Sequence, residues 1–206
     1  MTKRSRMKPR CGGCGLKPER CMCAELPRVQ LATPIVVVQH FAEAPKPTNT
    51  VRLLLSMVEG TKLLPYGLRD TPFDPGPLVD PEIEWVLLSP RDDATVLAPA
   101  QPDGRKRGFV LLDGTWHQCS RMSRRAPHVR ELPCVALPPG PPSIWGVRRQ
   151  HHEHGMSTFE AAMRALATVE GDDAVRPLME AFAKVTAQQL LLKGKLPASE
   201  VPSASP

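Results

Sequence analysis

Four of the six cysteines in this 206-residue chain lie within one short stretch, spaced as Cys-x2-Cys-x6-Cys-x-Cys. They are Cys11, Cys14, Cys21 and Cys23. Two close thiol pairs joined by a short loop can converge on one tetrahedral metal ion, because the glycines between them let backbone amides turn toward the thiolates. No apolar segment follows the basic N-terminus, so a secretory signal is not expected and the thiols should be reduced. This favours structural zinc over two disulfides or a redox pair, and a metal with four sulfur ligands would fold the segment rather than activate water.

The positive charge of the chain is concentrated at its start. Residues 1–28 contain eight Lys or Arg and two Glu, an excess of six, which equals the formal net charge of +6 for the whole chain. A basic N-terminal segment on a neutral body suggests that this segment binds a polyanion. The alternative interpretation is a solvated, disordered basic tail. No apolar run approaches the roughly 18 residues that span a bilayer, so we expect a cytoplasmic protein without membrane contact.

Apolar segments of strand length alternate with helical patterns along the body. Strands are predicted over residues 33–39, 61–64, 84–88, 108–112 and 130–137, and helices over 51–59, 115–125, 157–170 and 174–192. Residues 70–82 are predicted to be loop, and 94–107 are ambiguous. This alternation predicts an α/β fold with a largely parallel sheet. We expect a zinc-binding head at 1–28, a catalytic domain at 29–194 and a disordered tail at 195–206.

Three polar clusters could carry chemistry. Asp113-Gly114-Thr115-Trp116 directly follows a strand, where α/β proteins bind ligands, although the tetrapeptide taken alone favours Asp113 as the cap of the next helix. The segment from His40 to Thr50 also follows a strand and is dense in polar side chains. Ser157 and Glu160 have the spacing of a capping box, which alone explains them.

In this order, these motifs resemble the DTW-domain family of tRNA-uridine aminocarboxypropyltransferases, related to the SPOUT class of RNA-modifying enzymes. The resemblance extends from about Cys11 to Leu191. It rests on the cysteine head, the Thr48-Asn49-Thr50 block, the strand ending in Ser89-Pro90, the naming motif at residues 113–116, and Arg148 followed by Ser157-Thr158-x-Glu160-Ala161. Trp145, where a smaller aromatic is expected, and the histidine-rich residues 151–154 depart from the pattern.

The resemblance implies a SPOUT-like fold with a C-terminal trefoil knot. It also implies transfer of the 3-amino-3-carboxypropyl group of S-adenosylmethionine to N3 of a uridine in tRNA, with release of methylthioadenosine. Uracil N3 must lose its proton before it attacks, and a carboxylate such as Asp113 could remove it. The α-carboxylate of the transferred group needs cations such as Arg148 or Lys46, and its ammonium needs an acceptor such as Glu160 or Glu43.

These considerations define three sets of candidate site residues beside the four cysteines. The catalytic candidates are Asp113, Thr115 and Trp116. The candidates for binding S-adenosylmethionine are Leu88, Ser89, Thr115, Leu137, Arg148, Ser157, Thr158 and Glu160. The candidates for contacting tRNA are His40, Lys46, Thr48, Asn49, Arg121, Arg124 and Arg125.

Two other functions fit the same sequence. One is a SPOUT-like methyltransferase, or an aminocarboxypropyltransferase that acts on ribosomal RNA. The other is a non-enzymatic zinc-ribbon protein that binds RNA, in which Asp113 only caps a helix. The density of polar side chains from His40 to Thr50 argues against the second function, because a protein that only binds RNA does not need this group of side chains. The sequence does not determine the oligomeric state.

Overall fold

A computed structural model describes residues 9–99, 106–148 and 155–197. Its six strands are β1 (Ile35–His40), β2 (Lys62–Tyr66), β3 (Ile83–Leu88), β4 (Thr95–Val96), β5 (Lys106–Asp113) and β6 (Cys134–Ala136). Its four α-helices are α1 (Val51–Met57), α2 (Trp116–Arg125), α3 (Thr158–Glu170) and α4 (Asp172–Leu192). The predicted tail beyond residue 197 and the histidine-rich residues 151–154 lie outside the described residues.

The strands form one sheet in the order β2-β1-β5-β3-β6-β4, and each pairing between them is parallel in the described part of the chain. The predicted α/β class with a parallel sheet is confirmed. The trefoil knot and the SPOUT-like relationship stay predictions. Because all strands run the same way, their carboxyl ends share one edge, and the chain segments that follow them meet there.

Both faces of the sheet are covered, as expected of continuous apolar strands. Ile35 and Val37 of β1 face a core shared with α1, α3 and α4, whereas Val36 and Val38 face a second core that includes Met122 of α2. Successive side chains point to opposite faces of a strand, so β1 contributes to both cores.

Several element boundaries differ from the predictions. Strand β2 continues through Pro65, which is tolerated because β2 is at the sheet edge and its missing N–H is not needed for pairing. The predicted strand over 130–137 is wrong in its first half, where Val129–Glu131 forms a 3-10 turn before β6. The ambiguous segment 94–107 contributes the two-residue edge strand β4 and the start of β5.

The cysteine-rich head packs onto the body. Cys14 and Leu16 are buried in the core that includes α1 and α4. The Gln189 side-chain amide of α4 donates to the Gly15 carbonyl oxygen at 3.0 Å. A Cβ at Gly15 would lie 2.8 Å from the Pro47 carbonyl oxygen, and its φ of +72° also favours glycine. The head is therefore joined closely to the segment that follows β1.

Candidate active site

Asp113 ends the central strand β5 and is held by three side chains at the carboxyl edge of the sheet. Its Oδ2 accepts hydrogen bonds from Gln39 Nε2 at 2.9 Å and from Asn49 Nδ2 at 2.6 Å. Its Oδ1 accepts one from Thr158 Oγ1 at 2.7 Å. The orientation of the Asn49 amide is fixed, because its oxygen accepts from the Val51 backbone N–H at 3.0 Å and its nitrogen must then face Asp113.

Asp113 does not cap α2. Thr115 is the N-cap, and it forms a capping box with Gln118: Thr115 Oγ1 accepts from the Gln118 N–H, and Gln118 Oε1 accepts from the Thr115 N–H at 2.7 Å. A Cβ at Gly114 would lie 2.9 Å from Gln118 Cβ, so glycine permits this close turn. Of the two interpretations left open by the sequence, the helix cap is wrong for Asp113. Trp116 begins the helix with a half-exposed indole.

A second polar network lies on the segment after β1. Glu43 is 1% exposed, and its carboxylate is bonded by Lys46 Nζ and by Arg148 Nη1, the latter at 3.0 Å. Arg148 also donates from Nε to Thr48 Oγ1 at 2.7 Å. A buried carboxylate with two cationic partners ties the β1 segment to the loop before α3. Arg148 and Lys46 were predicted to bind the α-carboxylate of the donor, and in this structure both are bonded to Glu43.

Ser157 and Glu160 form the predicted capping box at the start of α3. The structure also shows a wider role for Glu160, whose carboxylate accepts from Ser143 Oγ at 2.7 Å and from the Ile144 N–H at 2.8 Å. With the bonds from Ser157, both oxygens of Glu160 are engaged. Glu160 therefore anchors the loop after β6 in this structure, and its contact with a donor molecule stays a prediction.

The remaining predicted cofactor residues lie along the same edge. Leu88 ends β3 and Ser89 follows it, while Leu137 follows the neighbouring β6; the Ser89 N–H donates to the Val135 carbonyl oxygen at 2.9 Å. Trp145 is buried against Phe182 with ring centroids 5.5 Å apart, so in this structure it belongs to the core.

Of the predicted RNA-contacting residues, three arginines of α2 are exposed: Arg121, Arg124 and Arg125. Burial lowers the pKa of the His40 imidazole; the carboxylate of Glu43 opposes this shift, and the positive charges of Arg121 and Lys46 add to it. A neutral ring agrees with its Nδ1 accepting from the Ala42 N–H at 3.2 Å. Asn49 is buried against Asp113.

The four clustered cysteines could hold a metal ion. Their sulfur atoms all lie within 4.8 Å of one another, with 3.3 Å between Cys11 and Cys23, 3.4 Å between Cys21 and Cys11, and 3.9 Å between Cys14 and Cys21. A tetrahedral Zn²⁺ with Zn–S bonds of 2.3 Å would hold its sulfurs about 3.8 Å apart, so the residues fit.

Backbone amides support this cluster as the glycine spacing predicts. The Cys14 and Gly13 N–H groups face the Cys11 thiol, and mainly through the Cys14 amide they lower its pKa to about 6. A Cβ at Gly13 would lie 2.7 Å from Cys23 Sγ, so only glycine allows this approach. Burial instead raises the pKa values of Cys14 and Cys23.

Sequence reasoning missed two residues of the site, Gln39 and Arg52. Gln39 pairs in register with Asp113 across β1 and β5. Its signal was a polar residue at the end of the apolar run 35–38, immediately before His40. Arg52 of α1 had no signal, because its partners are backbone carbonyls, which leave no pattern in the sequence, and one of them belongs to Cys11, 41 residues away.

Comparison with known proteins identifies the family of this site. The model of the DTW domain matches residues 8–190. The chain belongs to the DTW domain family. The resemblance predicted from the motifs is therefore confirmed, and the candidate carboxylate Asp113 is the first residue of the motif that gives this family its name.

Three curated relatives of this DTW domain chain carry the name tRNA-uridine aminocarboxypropyltransferase 2. The Drosophila melanogaster protein is 28% identical over 174 residues, covering 81% of this chain and 69% of the relative. The Mus musculus protein is 27% identical over 180 residues, which cover 82% of this chain and 59% of the relative. The Macaca fascicularis protein is 26% identical over 188 residues, which cover 84% of this chain and 60% of the relative. The chain thus spans about 60% of the two mammalian relatives. Their shared name agrees with the prediction of an enzyme. No solved structure matches the chain significantly.

None of the four α-helices and four 3-10 helices of the described residues is both long and apolar enough to cross a membrane.

Proposed function

We propose that this DTW domain chain transfers the 3-amino-3-carboxypropyl group of S-adenosylmethionine to N3 of a uridine in tRNA. The names of its relatives support the reaction class and the tRNA substrate. In the reaction, a bond forms between N3 and the γ-carbon of the donor while the bond from that carbon to sulfur breaks. The sulfonium becomes the neutral thioether of methylthioadenosine, and the N3 proton passes to a base.

The observation that carries this proposal is the arrangement around Asp113. A carboxylate offers about four acceptor positions, and three are occupied: two on Oδ2 and one on Oδ1. We assign the remaining position on Oδ1 to the N3 proton of a bound uridine. The three donors also fix the orientation of the carboxylate, which a general base requires.

The donor site we propose surrounds this carboxylate. Leu88, Ser89, Thr115, Leu137, Ser157 and Thr158 belong to segments that end or follow strands at the same sheet edge, or to helix starts packed against it. Thr158 contacts Asp113 directly, so donor and base would be adjacent. Lys46 is the cation we assign to the α-carboxylate, because its side chain is partly exposed beside Glu43.

The RNA would approach over His40 and the three arginines of α2. Exposed cations at this edge suit a phosphate backbone, while the unstacked uracil enters the site. Asn49 would act through Asp113, which it contacts, and Lys46 and Thr48 would support Glu43 and Arg148. The cysteine cluster would hold Zn²⁺, which supplies only structural stability since all its ligands are thiolates.

A labelled donor tests the reaction. The purified chain is incubated with tRNA and S-adenosylmethionine carrying ¹³C either in the methyl group or in the aminocarboxypropyl chain, and tRNA nucleosides are measured by mass spectrometry. We expect label in uridine only from the aminocarboxypropyl chain, with the methyl label in methylthioadenosine. Methyl label in the nucleoside would show a methyltransferase instead, and modification of ribosomal RNA but not tRNA would contradict the substrate.

The variant Asp113→Asn tests the base. The asparagine can keep the three contacts, since its oxygen replaces Oδ2 and its amide nitrogen can donate to the Thr158 hydroxyl. Its basicity is lost, so single-turnover rates should fall about 10²–10⁴-fold while donor affinity is retained. The matched control is Asp70→Asn at an exposed position, which should keep the wild-type rate. An Asp113→Asn rate within about threefold of wild type would refute the assignment.

A further inference from the structure

A group of four cations, the basic cluster, surrounds the loop before α3. Its members are Arg10, Arg148, Lys193 and Lys195. Lys193 Nζ donates to the Val147 carbonyl oxygen at 2.8 Å, and Lys195 Nζ donates to the Gly146 carbonyl oxygen at 2.8 Å. The two residues just before Arg148 are thus held by lysines that follow α4. Three distant segments of the chain bring their positive charges together here.

Little negative charge opposes the basic cluster in the described residues. Glu43 is the carboxylate bonded to Arg148, and it is shared with Lys46. The carbonyl end of α4 offsets about half a unit charge beside Lys193. A positive excess remains. Burial lowers the pKa of Lys193 most, and the positive charges of Lys195, Arg148 and Arg10 lower it further.

Two guanidinium nitrogens of the cluster are also unsatisfied. Arg10 Nη1 and Arg148 Nη2 are both buried and have no hydrogen-bond partner in the part of the chain that the structure describes. A buried donor without an acceptor costs about 1–3 kcal/mol, and more when it is charged. An oxyanion bound beside either guanidinium would give that nitrogen an acceptor and would offset part of the excess charge.

We propose that the basic cluster is an oxyanion-binding site that takes a phosphate of the RNA backbone beside the modified nucleotide. Guanidinium and ammonium groups converging from several segments suit phosphate oxygens, which accept several hydrogen bonds at once. The α-carboxylate of the donor has the same chemistry and would be the other source of the anion. The phosphate is favoured because Lys193 and Lys195 are exposed and follow α4, where a surface-bound RNA backbone can reach them. Assignment to RNA rests on the proposed function, whereas anion binding does not.

Equilibrium binding tests the site without requiring turnover. The variant Lys193→Gln/Lys195→Gln and wild type are titrated with tRNA, in the absence of donor, at several salt concentrations. Each lost phosphate contact should reduce the slope of log K against log salt by about 0.7–0.9 and weaken binding at least about fivefold at low salt. Lys184→Gln, on α4 but outside the basic cluster, should leave slope and affinity unchanged.

A second set of measurements distinguishes an RNA phosphate from the donor carboxylate and controls for disruption of the loop. If the anion is the donor carboxylate, calorimetry will show weaker binding of S-adenosylmethionine with an unchanged tRNA slope, which overturns the phosphate assignment. Lys193→Arg/Lys195→Arg keeps both charges and should retain the wild-type slope; a reduced slope there would overturn the electrostatic basis. Unchanged binding of both ligands to the glutamine variant would overturn the site itself. All of these outcomes are measured by binding, so they remain distinguishable even in a variant that has lost transfer activity.

Discussion

Arg52 is the side chain whose replacement should disturb both the cysteine head and the candidate active site. Its guanidinium donates to three backbone carbonyls: Nε to Asn49 at 3.2 Å, Nη1 to Cys11 at 3.2 Å and Nη2 to Lys46 at 3.0 Å. Cys11 belongs to the proposed metal cluster, and Asn49 holds Asp113. One planar group therefore connects the two regions, and we choose Arg52→Lys as the perturbation.

The magnitude follows from the number of carbonyls that lysine can reach. An ammonium keeps the charge, but it is a compact group without the planar fork that reaches all three carbonyls, so about two contacts are lost. A hydrogen bond to a charged group contributes about 1.5–3 kcal/mol, and Arg52 is only partly buried, which favours the lower value. We expect the free energy of unfolding to fall by about 3 kcal/mol, which lowers the melting temperature by about 6–12 °C in a chain of this size.

Calorimetric melting of the metal-loaded protein measures this change, and Arg28→Lys is the matched control. Arg28 is largely exposed and 3.7 Å from Glu59, so its replacement should change stability by less than about 0.5 kcal/mol. Arg52→Lys should also release metal faster to a chromophoric chelator, because the Cys11 carbonyl loses its partner. A stability within about 0.5 kcal/mol of wild type, with unchanged metal release, would refute this account of Arg52.

Two further predictions concern cysteines. Reduced, freshly purified protein should contain about one equivalent of zinc, and Cys21→Ser should lose zinc and melt at a lower temperature; less than half an equivalent in the wild type would contradict the metal site. Burial, assisted by the charge of Asp113, raises the pKa of Cys119 to about 12, so its folded thiol should resist alkylation up to about pH 10. The unfolded thiol ionises near 9.0, so Cys119 should reduce stability progressively from about pH 9 to 12, a decline that Cys119→Ala should lessen.

The class of fold follows from the sequence because its strands are apolar throughout. Residues 35–38 are four consecutive apolar residues, and the structure buries them on both faces of the sheet. Such runs occur where helices cover both faces, which requires parallel strands with helical connections. Strand order and register were not predictable, because they depend on which strands meet across long connections. The sheet places β5 beside β1, although 65 residues separate His40 from Lys106.

The site was predictable where local patterns fix it. Ser157 and Glu160 form their capping box within one helical turn, so spacing alone finds it. The further contacts of Glu160 with Ser143 and Ile144 have no local signal, since they join positions 17 and 16 residues apart through a loop. Asp113 is similar: its donors Gln39, Asn49 and Thr158 are 74, 64 and 45 residues away in sequence.

The density of polar residues in the Thr48-Asn49-Thr50 block now has a physical explanation. Thr48 accepts from Arg148 Nε, Asn49 donates to Asp113, and Thr50 accepts from the Phe159 N–H at 3.3 Å. Each side chain thus bonds a different segment of the chain. Three consecutive positions can do this only where the backbone turns, as it does immediately before α1, so that successive side chains diverge.

Two polar residues of this block are buried at the site. Asn49 and Thr50 are 6% and 4% exposed, and a buried polar group costs free energy unless it is hydrogen-bonded. Their partners belong to β5 and α3, so these hydrogen bonds form only when the β1 segment, the end of β5 and the start of α3 have assembled. The carboxylate of Asp113 is consequently oriented by the completed fold and by no single motif. A four-residue signature can therefore mark the family, while the geometry that makes its aspartate a candidate base is supplied by residues outside that signature.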